Sequence, residues 1–259
     1  MQEFAALANR MADKAGEIIQ KHFRQPFDIE RKGDDSPVTI ADREVEKALR
    51  EIIEAERPDD GILGEEFGAQ DTKSGLTWVI DPIDGTKSFM IGRPTFGTLI
   101  ALCEGDIPKL GIIDQPILKE RWLGIDGEAT TFNGEATTTR KCPHVSDAII
   151  GSTSPTMFGI VTDYGRAYEL FETTGNKIVW GGDCYMYGML ANGFMDIAFE
   201  EDLAPHDFAA LVPIVKGAGG HISDWRGDDL TLKSSGKVIA VGDQDLWPDI
   251  DRMIRKSPY

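Results

Sequence analysis

Trp78-Val79-Ile80-Asp81-Pro82-Ile83-Asp84-Gly85-Thr86 runs apolar β-formers straight into two carboxylates three residues apart, with a glycine and a hydroxyl residue next. The pattern predicts the end of a buried strand at Trp78 to Ile80. Asp81 is then expected where the chain leaves the sheet, with Pro82 fixing its direction. Gly85 lets backbone N–H groups come close to an anion, and Thr86 adds a hydroxyl beside them. Carboxylates for a hard cation, next to amides for a phosphate, are what metal-assisted phosphate-ester hydrolysis requires. An isolated D-x-x-D is more often a strand turn with two surface aspartates, so the remaining chain has to carry the reading.

The chain has 259 residues, enough for one large domain or two modest ones with a real core. Its formal charge of −17 argues against nucleic-acid binding through a basic face, and leaves an anionic substrate dependent on cations that locally reverse the field. Cys103, Cys142 and Cys184 are odd in number and far apart, so neither a disulfide framework nor a zinc knuckle is expected and a reducing compartment fits. No long apolar run and no signal-peptide pattern occurs, which points to a cytoplasmic protein without membrane contact.

Phe4 to Phe23 keeps helical spacing, with Pro26 expected to end the helix. Glu30 to Pro37 reads as a polar turn. A second helix from about Thr39 carries Val45, Leu49, Ile52 and Ile53, and Thr39 with Asp42 resembles a capping arrangement. Ile62-Leu63 leads as a short strand into Gly64-Glu65-Glu66. Strands follow at Thr95 to Cys103, Ile107 to Gln115 and Glu120 to Ile125, with hairpin chemistry at Thr130 to Gly134. After a boundary at Arg140 to His144, strands alternate with helices. Strands are expected at Ala148–Gly151, Lys177–Trp180, Met195–Phe199 and Lys237–Val241. Helices are expected at Tyr164–Thr173, Tyr185–Asn192, Phe208–Lys216 and Leu246–Arg255. This gives an α+β N-terminal half over residues 1–142 and an α/β C-terminal half over residues 143–259.

Adjacent Glu65 and Glu66 repel unless a cation or water separates them, so one is expected to face a partner. Asp207, just after Pro205, suits the first turn of a helix by the dipole; the alternative is that it completes a carboxylate cage with Asp81 and Asp84. His206 is either a general acid or, more commonly for a lone His at a helix start, a packing residue. Asp183, after Gly181-Gly182, either caps the following helix or faces a cationic ligand group. No nucleotide-binding glycine loop or serine-hydrolase elbow is present.

Together, Gly64-Glu65-Glu66, Asp81-Pro82-Ile83-Asp84-Gly85-Thr86 and Asp207 followed by Gly217-Ala218-Gly219-Gly220 resemble the inositol monophosphatase family over essentially the whole chain. The resemblance implies a layered αβαβα sandwich with the site between its halves, a homodimer, and magnesium-dependent hydrolysis of a small phosphate monoester. It implies Glu65, Asp81 and the Ile83 carbonyl as ligands of one Mg²⁺, and Asp81, Asp84 and Asp207 as ligands of a second. Thr86 with Glu65 would orient and deprotonate the attacking water. Asp42 would support Thr86 or a third, weaker Mg²⁺. Gly85 and Thr86 amides would cradle the phosphate, and Glu200 would meet the organic part.

Ser88 to Leu99, Ile113-Asp114-Gln115-Pro116, Gly181 to Tyr185 and Asp207 to Pro213 resemble the histidinol-phosphate phosphatases of this family. That implies Gly182, Asp183 and Glu200 as substrate contacts, the two carboxylates answering an ammonium and an imidazole. His206 stands where those enzymes are expected to have Tyr. Inositol phosphatases more usually have Trp there.

Overall fold

The computed structural model describes residues 1–25, 29–31, 37–158, 170–174 and 177–256. Its organising strand is β5 (Leu76–Asp84). Before it in the chain come α1 (Gln2–His22), the antiparallel pair β1 (Ile29–Arg31) and β2 (Pro37–Thr39), α2 (Ile40–Glu56), β3 (Gly61–Gly64) and β4 (Gly68–Gln70). After it come α3 (Thr86–Met90), β6 (Gly97–Glu104), β7 (Ile107–Gln115), β8 (Glu120–Ile125), β9 (Thr131–Phe132) and β10 (Glu135–Ala136). These strands form an eight-stranded sheet in the order β10-β9-β8-β7-β6-β5-β3-β4, antiparallel except where β3 lies parallel to β5. A second, mixed sheet of five strands is built from β11 (Ile150–Ser152), β12 (Ile178–Trp180), β13 (Ile197–Glu200), β14 (His221–Ser223) and β15 (Val238–Val241), in the order β12-β11-β13-β15-β14.

The pleat explains the layers. Successive side chains of a strand point to opposite faces, and both faces of the large sheet are covered. Trp78, Ile80, Ile100, Leu102 and Ile112 pack under Leu7, Met11, Val45 and Leu49 of α1 and α2. Their neighbours Val79, Leu99, Ala101 and Ile113 point the other way, onto the helices Asp183–Ala191 and Leu211–Gly217 and the inner face of the second sheet at Ala198 and Ala240. The outer face of that sheet, with Ile197, Phe199, Ile239 and Val241, packs on Leu170, Phe171 and the helix Trp247–Lys256 through Ile250 and Ile254. The result is the expected αβαβα sandwich.

The middle helix layer sits directly on the sheet backbone. A Cβ on Gly111 would lie 2.0 Å from the Ala210 carbonyl oxygen, and one on Gly124 would lie 2.4 Å from the Ile214 nitrogen. Only glycine permits that approach, and it fixes the height of the helix pair that carries Asp207.

Several boundaries differ from expectation. Strand β5 does not end at Ile80; it continues through Asp81 to Asp84. Helix α1 stops at His22, where Phe23 is extended and Arg24 takes φ +57, before Pro26 is reached. Pro26 and residues 32–36 of the expected turn lie outside the described residues. Of the helix expected at Tyr164–Thr173, residues 170–173 are helical and the rest lies outside the described residues. Phe208–Lys216 is not one helix: Pro205–Phe208 and Leu211–Gly217 form separate turns. Strands β4 and β14 and helix α3 carry no alternation long enough to read from sequence. The three cysteines are buried and free. Among the described residues no helix is long and apolar enough to cross a membrane.

Candidate active site

Strand pairing assembles the carboxylates. Gly64 at the end of β3 pairs with Ile80, so the next residues, Glu65 and Asp81, leave that register side by side. In β5, residues three apart would ordinarily face opposite sides of the sheet. Here Asp81 pairs with Leu99 but Asp84 pairs with Gly97, so β5 has one residue more than β6 between the two pairs. This bulge surrounds Pro82, which has no N–H for the ladder, and it resets the phase of the strand. The Pro82 carbonyl instead accepts the Thr98 hydroxyl at 2.8 Å. Asp81 and Asp84 thereby reach the same cluster.

The short helix Pro205–Phe208 brings the remaining carboxylate. One oxygen of Asp207, Oδ2, accepts the Ala204 N–H at 2.7 Å and holds the helix start. Asp207 also offers an oxygen to Asp81 and Asp84, the three atoms lying within 4.8 Å of one another. Asp207 thus sits in a helix first turn and beside Asp81 and Asp84 at once. A second triad joins Glu65, Asp81 and His206 within the same limit.

The electrostatics of this cluster call for a cation. Burial pushes Asp81 well above the usual carboxylate range, and the charges of Glu65, Asp84, Asp207 and Asp42 push it further. Asp84 is likewise raised, by burial and then by Asp183 and Asp207, against the opposing hydrogen bond from the Cys184 N–H. Burial also raises Asp207, opposed by His206 and the Ala204 amide. Asp81 Oδ1 is buried and accepts no hydrogen bond among the described residues. Oxygen donors at this density, one of them buried and unpartnered, fit a hard divalent cation.

Around the cluster, Gly85 caps α3 at φ +87, and a Cβ there would come within 2.7 Å of Asp183 Oδ2. Both the left-handed backbone and the close approach demand glycine. Thr86 opens α3 and donates its hydroxyl to the Ile83 carbonyl at 3.1 Å. That leaves a second lone pair on the carbonyl that the resemblance assigns to a metal. Asp42 is buried in the first turn of α2 and close enough to raise Asp81.

Across the cleft, a cavity of about 110 Å³ is lined by Asp84, Asp183, Tyr187, Glu200, Leu203 and Asp207, among others. Asp183 follows Gly182, the cap of the helix Asp183–Ala191, at φ +46, and accepts the Ser88 hydroxyl at 2.8 Å. Burial raises it, and the cations Arg93 and Lys87 oppose the rise. Glu200 is buried, accepting the Thr153 N–H at 3.1 Å and the Tyr187 hydroxyl at 2.9 Å. Burial pushes its carboxyl up to about 7 despite those hydrogen bonds. A larger groove of about 770 Å³ between α1 and β8 has its Arg121 already paired with Asp13 and Asp114, and among the described residues it contains no comparable cluster.

The sequence reading missed Glu46. It is fully buried on α2 and accepts the N–H groups of Glu66 at 2.7 Å and Phe67 at 3.1 Å, while Arg50 Nε donates to it at 2.8 Å. It therefore shapes the turn that presents Glu65. Its i+4 spacing from Asp42 on the buried face was the available signal. Ser88, Thr153 and Tyr187, which hold Asp183 and Glu200, carried no comparable signal.

Residues 1–255 match the model of the inositol monophosphatase family. The chain is 46% identical over 255 residues to the chloroplastic bifunctional phosphatase IMPL2 of Arabidopsis thaliana, covering 95% of this chain and 73% of that one. It is 34% identical over 241 residues to a histidinol-phosphatase of Chlorobaculum parvum, covering 90% of each. The solved structure of an inositol monophosphatase from Zymomonas mobilis superposes with a TM-score of 0.89 at 45% identity, covering 98% of both chains. The chain belongs to the inositol monophosphatase family, whose enzymes are metal-dependent, and is a phosphoric monoester hydrolase.

Proposed function

We propose that this enzyme hydrolyses L-histidinol phosphate to L-histidinol and phosphate, using magnesium. The observation that carries the metal chemistry is the Asp81, Asp84 and Asp207 cluster with its buried, unpartnered Asp81 oxygen. Glu65, Asp81 and the Ile83 carbonyl would hold one ion, and Asp81, Asp84 and Asp207 a second; Asp42 would support Thr86 or a third ion. Bound magnesium supplies Lewis acidity and neutralises charge on phosphate and leaving oxygen.

The chain's own groups do the rest. Thr86, its hydroxyl hydrogen directed at Ile83, turns its oxygen lone pairs toward a water. Glu65 takes a proton from that water as the water oxygen attacks phosphorus in line with the ester oxygen; the P–O ester bond breaks, and the leaving oxygen takes a proton from solvent to give the alcohol. The Gly85 and Thr86 amides at the start of α3 hold the non-bridging oxygens. Asp183 and Glu200, with Gly182 letting the ligand approach, meet the ammonium and imidazole of the organic end. In this reading residues 1–142 supply most metal ligands, residues 143–259 supply Asp207 and the organic-end contacts, and the active species is a homodimer.

Two histories of likeness bear on the substrate. Similarity to a histidinol-phosphatase supports the reading above. The 45% identity to an inositol monophosphatase favours the alternative, an inositol-1-phosphatase or broad sugar-phosphate phosphatase. Phosphate release with Mg²⁺ on L-histidinol phosphate, inositol 1-phosphate and an adenosine bisphosphate decides between them. Strong preference for the first, abolished by EDTA, supports histidine biosynthesis. Similar rates on all three leave the metal chemistry standing and reject that assignment.

A further inference from the structure

His206 lies on the first turn of Pro205–Phe208, beside Asp207. Its side chain is 20% exposed, and its Nε2 is 3.5 Å from Asp207 Oδ1, too long for a good hydrogen bond. Among the described residues, one ring nitrogen, one Glu65 oxygen and one Asp81 oxygen lie within 4.8 Å of one another. Asp81 supplies the independent sign of a ligand: it is only 2% exposed, and its Oδ1 is buried without a partner. With metal–ligand distances of about 2.1 Å, opposite ligands of an octahedral ion are about 4.2 Å apart. Adjacent ligands of such an ion are about 3.0 Å apart, so a bound ion would draw the triad together by up to about 1.8 Å.

The two triads differ in chemistry. Asp81, Asp84 and Asp207 offer oxygen alone, whereas Glu65, Asp81 and His206 add an imidazole nitrogen. Oxygen-only sites suit magnesium and manganese alike, whereas an imidazole ligand favours first-row transition ions, manganese the weakest of them, over magnesium. We propose that His206 is a direct nitrogen ligand of the ion held between Glu65 and Asp81, and that this pocket takes Mn²⁺ in preference to Mg²⁺ while the oxygen-only pocket keeps Mg²⁺. The proposal rests on the metal-site reading above and assigns its two halves different ions. A Tyr or Trp ring at residue 206 could pack there but could not supply that nitrogen.

Pulsed EPR of the full-length wild-type protein loaded with Mn²⁺ tests this without any substitution. Modulation from a directly bound nitrogen, changed by labelling histidine with the heavier nitrogen isotope, is expected. Its absence from bound Mn²⁺ would overturn the proposal and leave the metal-site reading intact. Calorimetric titration of His206→Phe with each ion alone gives a second readout. Mn²⁺ affinity should weaken about tenfold or more, and Mg²⁺ affinity less than about threefold. Equal weakening of both would overturn the assignment, because it would mark a general distortion. Wild-type protein that binds neither ion would overturn the metal-site reading together with this one.

Discussion

The two ends of the cleft treat their carboxylates in opposite ways. At one end Asp81, Asp84 and Asp207 are crowded, Asp81 is buried, and one Asp81 oxygen has no donor among the described residues. At the other, Asp183 is held by Ser88, and Glu200 by Thr153 and Tyr187. Crowded, buried carboxylates are relieved by taking up protons or by a metal ion from outside the chain. Carboxylates satisfied by neutral donors are held in place for a ligand to meet. In the proposed reading the first arrangement serves turnover, and the second serves the choice of organic group.

Asp84→Asn should separate the ends most sharply. Loss of a proposed metal ligand oxygen and of several kcal/mol of transition-state stabilisation should lower phosphate release by roughly a thousandfold. The metal-free variant should nevertheless melt at a higher temperature than metal-free wild type, because a buried repulsive charge is gone. Lower activity with a lower metal-free melting temperature would mean that the cluster is structural, and the contrast would fall.

Glu46→Ala should act on the same end through the backbone. It would remove the acceptor of the Glu66 and Phe67 amides and the carboxylate partner of Arg50, which is 13% exposed and still donates to the Gly68 carbonyl. Breaking a buried pair of this kind costs about 3 kcal/mol, measurable by urea unfolding. Divalent-ion affinity should fall as well, since the turn presenting Glu65 loses its support. An unchanged affinity would detach Glu46 from the site.

How much of this was legible depended on whether a residue's partner was local or distant. Glu65, Asp81, Asp84 and Asp207 could be named from sequence because their neighbours along the chain carry the pattern. The bulge that turns Asp81 and Asp84 to the same side could not, because it exists only in the pairing of β5 with β6. A strand ending at Ile80 was accordingly expected where the strand in fact continues. Glu46 was hidden for a different reason: glutamate is an ordinary helix residue, and only Arg50 and two distant amides reveal why it is buried. The layered fold was expected from the family resemblance, and β5 and β6, apolar on both faces, agree with it because they demand cover on both.

The pH dependence of metal-free stability sharpens the comparison within Glu200. Its carboxyl loses its proton near 4.5 when unfolded and near 7 when folded. In that window the folded chain holds a proton that the unfolded chain has released. Stability is therefore fully present below the lower value and is lost as pH rises through the upper one. Glu200 alone should cost roughly 2 kcal/mol between about pH 5 and pH 7, and Glu200→Gln should remove that share of the slope. Asp81, Asp84 and Asp207 are raised in the same direction, so a residual slope should persist in the variant. Added Mg²⁺ should flatten the residual slope and leave the Glu200 share in place. A slope abolished entirely by Mg²⁺ in wild type would merge the two ends into one electrostatic unit.

The smallest effect belongs to Asp183, and it bears most directly on substrate choice. Asp183 lies against Gly85 at the edge of the proposed phosphate cradle, with its φ of +46 and its bond to Ser88 holding the carboxylate at the cleft. A cationic substrate group would gain a charge-assisted contact of about 1.5 kcal/mol there, roughly tenfold in kcat/KM. Inositol 1-phosphate, with hydroxyls only, has less to lose. Asp183→Ala should thus lower kcat/KM for L-histidinol phosphate about tenfold more than for inositol 1-phosphate. Asp183→Asn, which keeps a partner for Ser88 but removes the charge, should reproduce most of that difference. If Asn restores discrimination, the Ser88 bond and backbone geometry matter more than charge, and the carboxylate is a scaffold for Gly85. If both variants lose the two substrates equally, Asp183 belongs to the phosphate end of the cleft, and selection of the organic group falls to Glu200 and Tyr187.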